Sequence, residues 1–332
     1  MRLSALASLL PVGLVSSLEA IGINTDIDLL FGPSDLEILR RLPPQTTSLK
    51  ELRKSISLVA ECSSPKGASA FQLLQEACPY RNLESHCLEL DSILEGGFRS
   101  SYVFEVSGDR RSGKSTLLLN VALHSLVDDP EAEAVWIDTT GDFSPDRAAQ
   151  VLECFSADKP KIGVLERLQV ALAVDIETVQ RVMQVIISRL YTSQKPRARC
   201  IVIDSITPLL GPYLSSTSTQ GHAIMTSFMR HLRSIARTYS LVIFVINNAT
   251  GILGSQPNPQ SIFPDTVKKP ALGVSFPYLT DATLWLTAIG SGGIYRIEVL
   301  RSRISRTNAW CEFVMTHGIL LPDKVVRDRV GE

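Results

Sequence analysis

The chain has 332 residues, a length that suits one large domain with a small one, or two domains. Hydrophobic residues make up 45% and charged residues 20%, which is the balance of a globular protein with a full core. Lysine plus arginine (33) nearly cancel aspartate plus glutamate (34), and the net charge of −1 excludes nucleic-acid binding driven by an overall basic charge. Any basic surface must therefore be local.

The first twenty residues, MRLSALASLLPVGLVSSLEA, have one early arginine and then an apolar stretch, as a signal peptide does. The alternative is an amphipathic helix, because Leu3, Leu6, Leu9 and Leu10 fall near helical spacing. The six cysteines are scattered singly, without zinc spacing, and we expect them to be reduced, which suits a cytosolic or nuclear protein. This favours the helical interpretation, and no apolar run is long enough to span a membrane.

Short helices are predicted throughout residues 1–60, which we interpret as a small helical domain. Either Thr25 or Asp26 is placed to cap the second of them, and Ser34 is placed to cap the third. Residues 61–85 are the predicted linker, because CSSPKGASA at its start is rich in small residues and turn formers.

From residue 86 to the end, apolar runs typical of strands alternate with amphipathic runs typical of helices. This rhythm predicts an α/β domain, 86–332, with a parallel sheet covered by helices on both faces. After residue 280 three strand-like runs follow one another, and we expect them to be antiparallel strands at the sheet edge. The strands expected before these three are 102–107, 134–138, 168–174, 200–204 and 241–247.

The first of these strands leads into GDRRSGKST, which fits the phosphate-binding pattern G-x-x-x-x-G-K-[ST]. Its glycines let the backbone N–H groups face phosphates, and the following helix points the positive end of its dipole at them. Lys114 is placed to reach the phosphates, and Ser115 offers a hydroxyl to Mg²⁺. A chance match is disfavoured because the strand, loop and helix occur in the required order.

Two further strands end on polar residues. CIVIDS places Asp204 where proteins of this class hold Mg²⁺ through water, and LVIFVINN ends on Asn247 and Asn248. These amides are either sensors of the terminal phosphate or ordinary turn residues. The residues that we expect to bind the nucleotide are Gly108, Asp109, Arg110, Arg111, Ser112, Gly113, Lys114, Ser115, Thr116 and Asn247, with Ser115 and Asp204 as metal ligands.

The order of the motifs GDRRSGKS, WIDTTGDFSPDR, IVIDS, FVINN and KKPALG resembles the RecA-type recombinases over about residues 86–320. The chain is most similar to the eukaryotic strand-exchange recombinase and its paralogues, the D-type paralogue above all. The resemblance implies a RecA-like P-loop NTPase core after a small helical domain, with ATP and Mg²⁺ as cofactors. It also implies a nuclear protein of homologous recombination and double-strand break repair, acting with single-stranded DNA.

The resemblance also implies a glutamate after the second strand, in the pattern I-D-T-E-G-x-F, to activate the attacking water. Thr140 stands in its place, and a threonine hydroxyl is no general base near neutral pH. Asp142 is the nearby carboxylate that could substitute, although it also fits the start of a helix with Ser144 as N-cap and Pro145 next. We therefore expect nucleotide binding with weak or absent hydrolysis.

Two loops that bind single-stranded DNA in the resembled family correspond here to residues 211–222 and 249–269. The first has no lysine or arginine, which weakens the case for a backbone-tracking groove. The second offers Lys268, Lys269 and Phe263, where Phe263 either stacks on a base or anchors the loop. Arg301 and Arg303 share one face of a predicted strand, as a phosphate-facing stripe or a solvated edge.

The resembled recombinases assemble through a linker motif F-x-x-A that docks on a neighbouring subunit. The linker here has Phe71 but Leu74 at the fourth position, so we expect a mixed complex with other recombinase paralogues rather than a self-filament. The preferred hypothesis is a mediator subunit that binds ATP. The alternatives are an active DNA-dependent ATPase that exchanges strands, and a scaffold with a non-cycling nucleotide.

Overall fold

The chain forms two compact units, Met1–Cys78 and Pro79–Glu332, in a computed structural model. The structure describes residues 3–7, 10–11, 13–64, 67, 69–71, 82–155, 161–192, 197–214, 219–252, 256–290 and 292–321. The fourth helix continues to Ser63, and most of residues 65–81 lie outside the described residues. The predicted linker 61–85 therefore stays a prediction.

The first unit is a small helical bundle. Three of its helices begin with a capping box, at Thr25, Ser34 and Ser48. The hydroxyl of each cap residue accepts from the backbone N–H three residues later, and the carboxylate of that later residue accepts from the backbone N–H of the cap residue. Leucine, isoleucine and valine side chains from all its helices form one buried core. The helices are α1 (Leu14–Ala20), α2 (Asp26–Phe31), α3 (Asp35–Arg41) and α4 (Leu49–Ser63), after a 3-10 turn at Leu3–Leu6.

The second unit is built on one sheet with strand order β10-β9-β8-β7-β1-β5-β4-β2-β3, and β6 pairs with β5. The strands from β7 to β3 in this order are parallel, and β8, β9 and β10 extend the sheet in antiparallel pairs. The strands are β1 (Val103–Gly108), β2 (Glu133–Asp138), β3 (Leu168–Leu172), β4 (Ala198–Asp204), β5 (Val242–Gly251), β6 (Lys268–Pro270), β7 (Ala282–Ile289), β8 (Ile294–Ser302), β9 (Trp310–Thr316) and β10 (Ile319–Leu320).

Helices cover this sheet, and two separate apolar clusters form its cores. The expected α/β class with antiparallel edge strands is confirmed by the strand directions, and the central residues of buried β4 are apolar on both faces. None of the described helices has the length and apolar character needed to cross a membrane. The helices are α5 (Leu88–Ile93), α6 (Lys114–Asp128), α7 (Pro145–Glu153), α8 (Ile176–Thr192), α9 (Ile206–Leu210) and α10 (Thr219–Tyr239).

Two strand expectations need refinement. The three late strands are antiparallel to one another as expected, but the first of them, β7, also pairs with β1, to which it lies parallel. The fifth strand does not end at Asn247 but runs on to Gly251, because its last residues pair with β6. The two ends of the predicted second DNA loop are therefore strands of one antiparallel pair.

Candidate nucleotide site

The loop between β1 and α6 has the geometry of a phosphate cradle. Gly108 packs so closely on β7 that a Cβ there would lie 2.3 Å from the carbonyl oxygen of Leu286. Gly113 has φ of +88°, in the left-handed region that favours glycine, and a Cβ there would lie 2.6 Å from Cε of Met315. The helix begins at Lys114, directly after this turn, so its free N–H groups face the loop.

The Lys114 ammonium is buried and bent back over the loop. Its Nζ donates to the carbonyl oxygens of Gly108 at 2.9 Å and Asp109 at 2.6 Å. Burial lowers the pKa of Lys114 to about 8, and the charges of Asp204 and Asp109 oppose this shift. The Ser112 hydroxyl is buried without a hydrogen-bond partner among the described residues. A buried cation beside a free hydroxyl fits a bound phosphate group.

Two oxygen-bearing side chains lie close together, Asp204 at the end of β4 and Ser115 in the first turn of α6. The Ser115 hydroxyl lies close enough to the Asp204 carboxylate to lower the pKa of that group. Burial raises the pKa of Asp204, and the neighbouring charges of Asp138 and Asp142 raise it further, while Ser115 lowers it. A cation would relieve this crowding of carboxylates, and oxygen ligands are those that Mg²⁺ prefers. The residues thus fit a magnesium ion next to the phosphates.

Asp138 organises the turn that follows β2. Its Oδ1 accepts from the backbone N–H groups of Thr140 at 3.0 Å and Gly141 at 2.9 Å, and its Oδ2 accepts from Phe143 N at 3.0 Å. Burial raises the pKa of Asp138, but these backbone bonds outweigh burial and hold the pKa below its ordinary value. The Thr140 hydroxyl donates to the same Oδ1 at 3.3 Å. The Thr140 side chain therefore provides no free carboxylate that could act as a base.

Asp142 lies exposed in this turn, close enough to Asp204 for its charge to act on that carboxyl. Helix α7 begins three residues later as expected, with Ser144 as N-cap accepting from the N–H three residues on and Pro145 in the first position. Thr139 is structural, since its hydroxyl donates to the Ser205 carbonyl and accepts from the Ser205 N–H, both at 2.8 Å.

Asn247 is fully buried and belongs to a polar network between strands. Its Nδ2 donates to Glu105 Oε1 at 2.7 Å and to the Ala271 carbonyl at 3.1 Å, while its Oδ1 accepts from the Thr207 hydroxyl at 2.8 Å. Glu105 also accepts from Thr283, and burial raises its pKa. Asn247 thus connects the strand of the phosphate loop to the helix that follows Asp204.

The second predicted DNA loop is attached to the nucleotide site. Lys268 and Lys269 lie in β6, and Lys268 Nζ forms an ion pair with Asp109 Oδ1 of the phosphate loop at 2.7 Å. Phe263 packs edge-on against Trp310, with ring centroids 5.3 Å apart. Lys268 is therefore next to the phosphate loop, whereas the Phe263 ring packs within the chain.

Arg301 and Arg303 lie at the other end of the sheet. Arg301 donates to the carbonyls of Pro277 and Thr280 at 2.7 and 3.2 Å, and Arg303 donates to that of Tyr278 at 3.2 Å. Nη1 of Arg303 also lies 3.8 Å from Oδ1 of Asp281. The other oxygen of this carboxylate accepts from the backbone N–H of the first residue of β1. Both guanidinium groups thus support the turn before β7 and are not brought together with the phosphate loop.

Two features near the phosphate loop, Arg147 and Tyr295, did not emerge from the sequence motifs. Arg147 of α7 donates to the hydroxyl of Thr116, so a guanidinium borders the first turn of α6. The ring of Tyr295 lies over the loop from β8, 3.0 Å from where a Cβ on its second glycine would be. Arg110 and Arg111, which the motif had predicted for this site, are exposed on the loop itself. The only sequence signal for Arg147 was its place in the SPDR helix start.

Comparison with known proteins places this geometry in a family. The Rad51 family model matches residues 81–317. The cattle protein "DNA repair protein RAD51 homolog 4" is 26% identical over 92% of both chains. The Pyrococcus abyssi protein "DNA repair and recombination protein RadB" is 27% identical over 48% of this chain and 62% of its own.

A solved structure is similar to this chain as well. The crystal structure of the RadB recombinase superposes with a TM-score of 0.57 at 25% identity, covering 72% of this chain and 98% of that one. The expected RecA-like core is thereby confirmed, with helices preceding the sheet. This chain belongs to the Rad51 family.

Proposed function

We propose that this protein is an ATP-binding recombinase paralogue that acts in homologous recombination and DNA double-strand break repair in the nucleus. It serves as a mediator subunit on single-stranded DNA and hydrolyses ATP weakly or not at all. The observation that carries the proposal is the combination of a loop with phosphate-cradle geometry and the neighbouring Ser115 and Asp204 with a hydroxyl, not a carboxylate, at Thr140. Similar proteins named for DNA repair and recombination support the same biological setting.

The binding half of the proposal rests on the phosphate loop. Gly108 to Thr116 would hold the phosphates of ATP, with Lys114 neutralising their charge, and Ser115 and Asp204 would hold Mg²⁺. Bound Mg²⁺ would supply charge neutralisation at the phosphates. Since Lys114 now donates to carbonyls of its own loop, binding has to turn its ammonium toward the ligand.

The weak-hydrolysis half rests on the turn after β2. An attacking water needs a group that accepts its proton or orients it, and Thr140 donates its hydroxyl to Asp138. The two carboxylate oxygens of Asp138 accept hydrogen bonds from three backbone N–H groups, so Asp138 is a poor base as well. Asp142 is exposed and has the remaining carboxylate in this turn. We assign it a helix-start position, with a catalytic role as the competing assignment.

Assembly with other recombinase paralogues is supported by the free edge of the sheet. Strand β3 ends the sheet on one side and exposes Val170 and Leu172, 45% and 64% respectively. A groove of about 350 Å³ lies between this strand and α8, lined by Val170, Val182 and Val185. An edge strand beside an apolar groove accepts an extended segment through backbone hydrogen bonds. Phe71, 66% exposed, is the part of the F-x-x-L segment within the described residues.

The contact with single-stranded DNA would be modest. Lys268 and Lys269 of β6 supply the positive charge of the second loop, and Phe263 is its aromatic residue. The first loop starts with the 3-10 turn Gly211–Tyr213, carries no lysine or arginine, and lies partly outside the described residues. We therefore propose binding that weakens steeply as salt rises.

The experiment combines nucleotide binding, turnover and partner capture. We expect the purified protein to bind a fluorescent ATP analogue with Mg²⁺, to lose that binding in Lys114→Ala, and to turn ATP over far more slowly than a strand-exchange recombinase. Capture from cell extract with ATP should recover recombinase paralogues. DNA-stimulated turnover equal to that of an active recombinase, lost in Asp142→Asn, would establish the strand-exchange alternative. Full partner capture and function by Lys114→Ala would establish the scaffold.

A further inference from the structure

The segment of residues 258–268, called the docked loop below, folds back on the antiparallel part of the sheet. Asn258 organises it internally, since its N–H donates to the Thr266 carbonyl at 2.7 Å and its Nδ2 donates to the Lys268 carbonyl at 3.0 Å. The Ser261 N–H donates to the Asn258 carbonyl at 3.0 Å. The loop is thus a compact body whose base is the residue that contacts the phosphate loop.

A buried carboxylate holds the tip of the docked loop. Glu298 of β8 is 1% exposed, and it accepts from the Ser261 hydroxyl at 2.6 Å and from Ile262 N at 2.7 Å. Hydrogen bonds to a charged acceptor that is shielded from water are stronger than hydrogen bonds between neutral groups. Glu298 has no part in the nucleotide site, and the docked loop supplies the hydrogen-bond donors to this buried carboxylate.

An aromatic and cationic contact holds the loop beside this carboxylate. The Arg296 guanidinium lies 3.9 Å from the ring centroid of Phe263 and 5.9 Å from that of Trp310. Arg296 is fixed in turn by Glu312 of β9, at 3.0 Å. Phe263, the side chain that would stack on a DNA base, is therefore occupied by the protein itself.

A third attachment joins the docked loop to the phosphate loop. Lys268 Nζ pairs with Asp109 Oδ1 at 2.7 Å, while Lys114 Nζ holds the backbone carbonyl of the same Asp109. A bound triphosphate would compete with Asp109 for both ammonium groups, because it carries more negative charge. Nucleotide binding would thus act directly on the base of the docked loop.

We propose that the docked loop is an autoinhibitory latch, which withholds Phe263 from single-stranded DNA and which nucleotide opens through the Lys268–Asp109 pair. The inference rests on the proposed function for the identity of the ligand that Phe263 would stack on. The contacts that hold the latch closed lie within the chain and do not involve DNA. The latch makes DNA affinity depend on nucleotide occupancy without any need for hydrolysis.

The first test is hydrogen exchange of the docked loop in the full chain without DNA. We expect a non-hydrolysable ATP analogue with Mg²⁺ to speed the exchange of the Ile262 amide. In Asp109→Asn that amide should exchange equally fast with and without nucleotide, and direct titration must show how much analogue this variant binds. An Ile262 amide that stays equally protected in the wild-type protein at saturating analogue would overturn the latch, whatever the DNA result.

The second test is the affinity for a fluorescent poly(dT) oligonucleotide. Trp310→Ala removes a partner of Phe263 without altering the loop, so we expect nucleotide-free binding about fivefold tighter than wild type and little further gain with analogue. Tyr191→Ala, another exposed aromatic residue, is the matched control and should behave as wild type. Weaker binding by a folded Trp310→Ala would contradict the latch. Nucleotide-dependent exchange without any DNA binding would support the latch and count against the proposed DNA contact.

Discussion

The Thr140 hydroxyl donates to Asp138 Oδ1 at 3.3 Å, and the Thr140 N–H donates to the same oxygen at 3.0 Å. The residue in the place of the expected water-activating glutamate is thereby turned toward its own strand end. Replacing it by glutamate restores a carboxylate beside the metal and phosphate site. We expect Thr140→Glu to raise the rate of ATP hydrolysis by about 10²-fold or more. Single-turnover release of phosphate measures this rate.

The matched control for this substitution is Thr140→Val, which keeps the shape and removes the hydroxyl. If the hydroxyl has no role in chemistry, Thr140→Val should hydrolyse ATP at the wild-type rate. A loss of activity in the valine variant would show that Thr140 orients the attacking water. Asp142→Asn belongs in the same series, because a drop there would assign hydrolysis to the exposed carboxylate.

Nucleotide affinity should depend on pH through Lys114. Burial holds its pKa at about 8, so the free protein loses the positive charge as pH rises through that value. Bound phosphates favour the charged form, so binding above pH 8 has to take up a proton. We expect the dissociation constant for ATP to rise by up to about tenfold per pH unit above pH 8. Fluorescent-nucleotide titration between pH 7 and 9.5 measures this slope.

The control for the pH series is Lys114→Arg, whose guanidinium stays protonated throughout this range. Its affinity should be lower than that of the wild type, because an arginine does not reproduce the compact ammonium, but it should not change with pH. A slope that persists in Lys114→Arg would assign the titration to another group.

Asn247 should matter for folding as well as for the site. Asn247→Ala removes a donor from buried Glu105 and an acceptor from Thr207, and we expect a loss of about 1–3 kcal/mol in the free energy of unfolding. Denaturant unfolding measures it. Asn248→Ala is the adjacent control, since Asn248 is exposed, and should change stability by less than about 0.5 kcal/mol. Equal effects at both positions would contradict this network.

The features that could be predicted from the sequence are those whose sequence pattern lies close in the chain to the groups involved. The phosphate loop up to Ser115 and the cap at Ser144 lie within a few residues of the groups they serve, so their patterns are readable. The parallel pairing of β7 with β1 joins strands far apart in the chain, and no local pattern predicted it. The Lys268–Asp109 pair joins positions 159 residues apart, and no spacing rule announces such a contact.

The exposed edge strand should carry partner binding. Val170 of β3 lines the groove against α8 and is 45% exposed, so Val170→Asp places a charge where an apolar partner side chain would pack. We expect capture of recombinase paralogues to fall at least about tenfold, while ATP-analogue binding is kept. Ile162→Asp, at a position 95% exposed outside this groove, is the control and should keep its partners. If Val170→Asp captured the same partners as Ile162→Asp, the hetero-complex would have to form through another surface, and the proposed role of the β3 edge would be wrong.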